Sequence, residues 1–363
     1  MSINFVRGDA QQSLKVAGVV AFYMGAALVM VFVNKAVLNS SPELPLFFLF
    51  IQLVLAVILL HASAFITPKV EIPRFELKTA KKLAPVTLVN VIGLVFNILC
   101  LRGVEASFFQ IARGLVLPLT IVVSSVNTHT LPSPRVILAA VVVTFGFLVG
   151  VVPQSLNSMS HWSSAPSSLS ILYGVLSSLF IAVHAVLIKS SLPHAGNSTI
   201  QLAYWQNLGS ALLLAPFILI QGELSKLTEL MVTPSWNGTV FLWGSMITGV
   251  FGFLLCVAGL LSIKVTSPIT HMFSSAARSV LQTLLGVWLF GDLLTTNRAL
   301  SVLVILMGTM YYTWIKHLEG QQSRPNSNNH TRMPPQDLEA NRPLKTDEED
   351  TVIWSADEKR GHE

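Results

Sequence analysis

An all-α membrane protein of ten transmembrane helices, built as two inverted five-helix repeats, is the fold class this sequence predicts. Three observations lead there. Of the 363 residues 52% are hydrophobic and only 11% charged, with a mean hydropathy of +0.63, which is too apolar for an ordinary water-soluble domain. The apolar residues gather into ten runs, each close to the roughly 20 residues that cross a bilayer as a helix. Two arginines inside such runs, Arg113 in the fourth and Arg278 in the ninth, recur 165 residues apart.

Residues 1–13 are polar, and the first run, 16–38, is too long for a removable signal peptide and lacks its small-residue cleavage site, so it stays as a helix. The other runs are 44–66, 83–101, 107–126, 136–152, 169–188, 200–220, 239–261, 267–290 and 299–317. The third, fourth and fifth are short and hold Pro85, Pro118 and Gly146. After the second run the chain carries Lys69, Arg74, Lys78, Lys81 and Lys82. The connections on the other side carry about one basic residue each: Lys35, Arg102, Lys226 and Arg298. The positive-inside rule therefore puts loop 67–82 in the cytosol and, with ten spans, both termini as well. Connection 153–168, rich in Ser and Pro and free of Lys and Arg, reads as a lumenal linker, and 319–363 as a disordered cytosolic tail. The expected units are thus a 1–13 cytosolic segment, a first repeat over 14–152, the 153–168 linker, a second repeat over 169–318, and the tail.

Further pairs support the repeat. Arg135 and Arg298 are 163 residues apart, Gly146 and Gly308 162, and Lys35 and Lys189 154. An odd number of spans per half forces the second half to enter the membrane upside down, and carriers built that way hold their site near the midplane between halves.

An arginine at the centre of a spanning helix costs about 2.5–3.5 kcal/mol, so it is expected to face a polar cavity or a partner. His271, Ser274, Ser275, Arg278 and Gln282 share one helical face, and Gln110, Arg113, Thr120 and Ser124 form a comparable stripe on span 4. No acidic residue lies inside any span; Glu105, at the mouth of span 4, is the nearest. Ligand phosphates would supply the counter-charge, since guanidinium binds phosphate oxygens in a bidentate fork. The alternative is an arginine bonded to helix-end carbonyls or paired with Glu105. On span 7, Tyr204, Gln206 and Asn207 combine an aromatic with two amides. They can stack on and hydrogen-bond a base edge, or equally anchor and clamp helices. Tyr23 is placed to line the same cavity, Lys35 to snorkel, His184 to pack, and Gly146 with Gly150 to let helices approach.

The net charge of +5 sits mostly in short loops, which argues against a nucleic-acid partner. Cys100 and Cys256 lie in or beside apolar runs and imply neither disulfide nor zinc site. A Gly-rich phosphate loop, metal-spaced His and Cys and paired intramembrane carboxylates are all missing from the sequence. An enzyme and a cofactor are therefore not expected.

The chain resembles the nucleotide-sugar transporters of the drug/metabolite transporter superfamily, and among them the Golgi GDP-fucose transporters. The likeness covers roughly 14–318. Its residues are Tyr23 with Met30-Val-Phe-Val-Asn34-Lys35, the run Ile263-Lys264-Val-Thr266-Ser267-Pro268-Ile-Thr270-His271, and Arg113. The resemblance implies a ten-helix Golgi carrier exchanging a cytosolic nucleotide sugar for lumenal nucleoside monophosphate. The family's Phe-Tyr-Asn-Asn base motif stands here as Tyr204-Trp205-Gln206-Asn207, and the Gly-Ala-Leu-Asn-Lys motif of GDP-mannose carriers as Ser274-Ser275-Ala276-Ala277-Arg278. On that reading Arg278 and Lys264 hold phosphates, Tyr204, Gln206 and Asn207 read the base, and Tyr23, Arg113, Ser274, Ser275 and His271 complete the site. The partners expected are nucleotide sugar, nucleoside monophosphate and membrane lipid, with a homodimer left open. Two alternatives stand beside it. One is a carrier, like the triose-phosphate translocators, of another nucleotide sugar or phosphorylated metabolite. The other is a membrane scaffold that transports nothing.

Overall fold

A computed structural model describes residues 3–67, 70–151, 168–234, 236–265, 268–292 and 294–322. Within these, the side chains of 3–17, 256–277 and 320–322 and of positions 19, 107 and 189 lie outside the description. The 153–168 linker and the 319–363 tail fall outside it too, apart from Ser168 and residues 319–322.

Among the described residues the regular structure is helical throughout: α1 (Ile3–Ser40), α2 (Pro45–Ile66), α3 (Leu77–Gly103), α4 (Ala106–Gly114), α5 (Val116–Thr128), α6 (Pro134–Val151), α7 (Ser168–Ser191), α8 (Thr199–Ile220), α9 (Glu223–Val232), α10 (Gly238–Val265), α11 (Pro268–Phe290) and α12 (Thr296–Gln322). Nine apolar stretches are long enough to span a bilayer, and each coincides with one expected from the sequence; α11, 23 residues long, occupies the place of the ninth span. In hydrocarbon each backbone N–H and C=O must be paired within its own segment, which leaves helices as the form these runs can take.

Two elements differ from expectation. α1 starts at Ile3, so the polar leader is helical rather than separate. Span 4 is broken: α4 ends at Gly114 and α5 begins at Val116. Pro118 causes the break, because it has no N–H for the carbonyl four residues back and its ring crowds that same carbonyl, Gly114 O. Leu115 N–H turns instead to Ala112 O at 3.3 Å, and Ser178 Oγ on α7 donates to the same carbonyl at 2.9 Å.

The helix pairings obey a symmetry. With α4 and α5 taken as one span, α1, α2, α3, α4/α5 and α6 correspond to α7, α8, α10, α11 and α12. Exchanging counterparts turns the α1·α10 contact into α7·α3, α2·α10 into α8·α3, and α1·α11 into α7 against α4/α5, and every one of these pairs is in contact. The pairs α2·α8, α4·α11 and α6·α12 map onto themselves and so lie along the pseudo-two-fold axis. At the α6·α12 crossing the reciprocity reaches single residues. A Cβ on Gly146 would lie 2.9 Å from Ile305 Cγ1 and 3.1 Å from Ile305 N, and one on Gly308 2.6 Å from Val143 Cγ2 and 3.3 Å from Val143 N. Residues 146 and 308, like 143 and 305, are 162 apart, so each glycine receives the counterpart of the side chain that its own partner presents. Small residues let membrane helices pack this closely.

At the end away from the basic 67–82 loop, the helix termini are capped by side chains from other helices. Lys35 Nζ donates to Leu101 O at 2.9 Å and Val104 O at 2.6 Å, and reaches Arg102 O at 3.5 Å, closing the C-terminus of α3. Lys35 is only 7% exposed, so it turns inward instead of snorkelling. The Glu223 carboxylate accepts Leu46 N–H at 3.1 Å and Phe47 N–H at 2.7 Å at the start of α2. Burial still holds the Glu223 carboxyl above the usual range.

The crossing gives a stability test. Gly146→Ala and Gly308→Ala should each lower the thermal midpoint in detergent, by about 1–3 kcal/mol of overpacking strain, while alanine at Gly222, where a Cβ meets no atom, strains only its left-handed turn (φ 67°). Unchanged midpoints for both crossing variants would show that the helices do not meet there.

Candidate functional site

Arg278 sits midway along α11 and Arg113 on the last turn before the break in span 4. The Arg278 guanidinium carbon lies 5.8 Å from the centre of the Tyr23 ring on α1, and that of Arg113 5.7 Å from the Phe109 ring. The two guanidinium groups are near enough to repel each other, with the Tyr23 hydroxyl close to Arg113. Among the described residues neither has a carboxylate within 4.0 Å. Arg278 Nε is buried with no hydrogen-bond partner. Glu105, the acid at the mouth of span 4, is engaged elsewhere: it pairs with Arg298 on α12, whose guanidinium also lies over the Phe108 ring. Among the described residues these two like charges thus have no resident acid, an arrangement that a dianionic group would relieve.

Two turns along α1 from Tyr23, roughly 10 Å at 1.5 Å per residue, Met30 lines a cavity of about 160 Å³. Its polar wall is Gln52 on α2, Asn207 on α8 and Thr248 on α10; the rest is apolar. Gln52 Nε2 donates to Asn34 Oδ1 and to Thr248 Oγ1, both at 2.9 Å. Asn207 Nδ2 donates to Ala203 O at 2.8 Å, one turn back on its own helix.

Residues 14–313 match the Triose-phosphate Transporter family. The chain belongs to that family. Its relatives include the GDP-fucose transporter 1 of Dictyostelium discoideum, 30% identical over 84% of this chain and 81% of that one, and the GDP-fucose transporter 1 of Nematostella vectensis, 30% identical over 85% and 91%. The UDP-galactose/UDP-glucose transporter 7 of Arabidopsis thaliana is 24% identical over 86% and 94%.

In this member of the Triose-phosphate Transporter family, the residues expected from the sequence divide into three groups. Arg278, Arg113 and Tyr23 come together, and Asn207 faces the cavity nearby. Tyr204 and Gln206 are occupied by other side chains. Tyr204 packs edge-on to His61 at 5.4 Å and to Trp205 at 6.0 Å in a small apolar cluster with Leu60 and Leu83. Gln206 Nε2 lies 2.8 Å from His184 Nε2 on α7, which gives that histidine a polar partner as well as a packing role. The side chains of Lys264, His271, Ser274 and Ser275 lie outside the described residues, although their positions fall on α10 and the first half of α11. Gln282, the last member of the Arg278 stripe, is 2% exposed and donates to Ala106 O at 3.3 Å, joining α11 to α4.

Gln52 and Thr248 were not singled out from the sequence. One signal did point to Gln52: it precedes Gln206 by 154 residues, the spacing that relates Lys35 to Lys189.

The pair at the mouth of span 4 sets the next test. Glu105→Gln and Arg298→Gln should each destabilise the protein. The double variant should lose less than the sum, leaving a coupling on the order of 1–3 kcal/mol in a thermal double-mutant cycle. A cycle that closes additively would remove any role for the pair in stability.

Proposed function

We propose that this transporter is a Golgi antiporter exchanging cytosolic GDP-fucose for lumenal GMP. The observation that carries the proposal is the pair of arginines Arg113 and Arg278, whose like charges face no acid among the described residues. A diphosphate fits two adjacent guanidinium groups, each able to form a bidentate fork. An empty site with like charges facing each other should reorient less readily than a filled one, which makes exchange the natural mode. GDP-fucose as the substrate is supported by the named functions of relatives that align along most of the chain.

In this reading Arg278 and Arg113 hold the phosphates, Lys264 draws them in from the cytosolic side, and Tyr23 stacks behind Arg278. Ser274, Ser275 and His271 share the Arg278 face, by their place on α11, and would contact the sugar. Asn207 reads the base, while Tyr204 and Gln206 brace that turn of α8 against its neighbours. Halves 14–152 and 169–318, joined through 153–168, move against each other with both termini in the cytosol. The protein binds and moves its substrate without altering it.

A carrier that recognises phosphates and ignores the base is the second reading, favoured by the engagement of Tyr204 and Gln206 with other side chains. Counterflow in proteoliposomes separates the two. Arg278→Ala and Arg113→Ala should each reduce GDP-fucose uptake against preloaded GMP by about 10- to 150-fold, the loss of roughly 1.5–3 kcal/mol of charge-assisted bonding. Arg278→Lys should retain part of it, because a point charge replaces the fork. Asn207→Ala should weaken uptake if the base is read and leave it intact if it is not. Undiminished exchange in Arg278→Ala would overturn both readings.

A further inference from the structure

We propose that Gln52 on α2 is a base-specificity residue of this transporter, presenting a fixed carbonyl oxygen that selects guanine. The inference rests on the exchange of guanine nucleotides proposed above and assigns a role to a residue outside the aromatic-amide run of α8.

The orientation of the Gln52 amide follows from its surroundings. The Thr248 hydroxyl donates to Gly244 O at 2.9 Å, so towards Gln52 its oxygen can only accept. The group facing it must then be the Gln52 NH2, and the second N–H of that group goes to Asn34 Oδ1. Both amide hydrogens are consumed. Gln52 Oε1 remains, with no protein donor among the described residues, on a side chain that lines the cavity. Asn207 donates one N–H to Ala203 O, which leaves its Oδ1 and its second N–H for the cavity. The cavity therefore offers two carbonyl oxygens held by separate helices, against an otherwise apolar lining of Met30, Leu53 and Phe253.

The cavity of about 160 Å³ is well below the roughly 300 Å³ that encloses a drug-sized ligand, so it admits one moiety of a nucleotide sugar. It lies two helical turns along α1 from Tyr23, the ring beside Arg278, a gap of roughly 10 Å that ribose and base together can span when the diphosphate sits on the arginines. Of the four bases, guanine alone presents two adjacent donors on its pairing edge, N1–H and N2–H2. Adenine and cytosine have an unprotonated ring nitrogen where guanine has N1–H, and uracil has a single N–H between two acceptors. The fixed Gln52 oxygen and the Asn207 oxygen complement those two donors, the second Asn207 N–H suits the neighbouring guanine O6, and any other base leaves one of these groups unsatisfied, which is how a hydrogen-bonding site excludes the wrong ligand. Gln52 also stands 154 residues before Gln206, and each of the two glutamines is tied to the first helix of its own half, one through Asn34 and the other through His184. Gln206 does not line the cavity, whereas Gln52 does.

The test is competition in proteoliposomes bearing the full chain, with labelled GMP exchanging against GMP and unlabelled GMP or AMP as competitor. The wild type should prefer GMP over AMP by on the order of tenfold or more. In Gln52→Met, which keeps the length of the side chain and removes the acceptor, the GMP-over-AMP ratio should fall about tenfold. Asn34→Leu, which releases the amide so that it can turn over, should also lower the ratio. A merely structural role for Gln52 would lower the thermal midpoint and total uptake but leave the ratio alone, and that result overturns the inference. Wild-type protein that exchanges GDP-fucose for GMP yet takes AMP as readily as GMP overturns it without any variant. Protein that exchanges no guanine nucleotide removes the functional reading together with this one.

Discussion

A charged side chain in hydrocarbon must be neutralised by something, and this protein meets that constraint in two ways. Lys35 spends its donors on the carbonyls that end α3, and Arg298 takes the carboxylate of Glu105. Both cations are nearly buried, at 7% exposed, and both are answered from within the chain. Arg113 and Arg278 are not answered by any acid among the described residues, and they stand close to each other. Burying an uncompensated charge costs several kcal/mol, and bringing two like charges together adds to that cost. That cost is what the anionic substrate proposed above would offset.

The helix arrangement explains how the pair is kept. The pseudo-two-fold axis runs through α2·α8, α4·α11 and α6·α12. The first of these contacts carries the Gln52 and Asn207 cavity, the second brings the two arginines together, and the third holds the reciprocal glycine crossing. The cavity, the two arginines and the packing glycines therefore share one line through the molecule. The break in span 4 lies beside the same line: α4 ends one residue after Arg113, and Pro118 leaves Gly114 O without the helical N–H it would otherwise accept.

Much of this was legible in the sequence because the bilayer imposes a simple rule. A spanning helix needs about 20 apolar residues, so the runs and their number could be read off, and the repeat offsets of Arg113, Arg278, Gly146 and Gly308 marked residues that the structure brings to the axis. Pro118 was noted inside span 4, but the break it makes there was not expected. What the sequence could not convey is which polar group answers which. Lys35 looked like a residue reaching for the interface, yet its partners are backbone carbonyls of a helix 66 residues away, and a carbonyl has no sequence signature. Gln52 was lost in an apolar run because its partners, Asn34 and Thr248, come from two other helices. Tyr204 was grouped with Asn207 by helical spacing, but spacing fixes only an angle around the helix. What fills that angle is decided by His61, from a different span.

Where two halves pair their helices in the same pattern, asymmetry must come from the places where they differ. Glu105 is one. Its counterpart by the arginine offset is Thr270, which carries no charge, so the ion pair with Arg298 exists on one rim only. On the opposite rim Arg135, the counterpart of Arg298, has Glu319 for company, a carboxylate 38% exposed and already shared with Ser133 and Lys316. One rim thus carries a sheltered ion pair, whereas the charges on the other are exposed and screened by water.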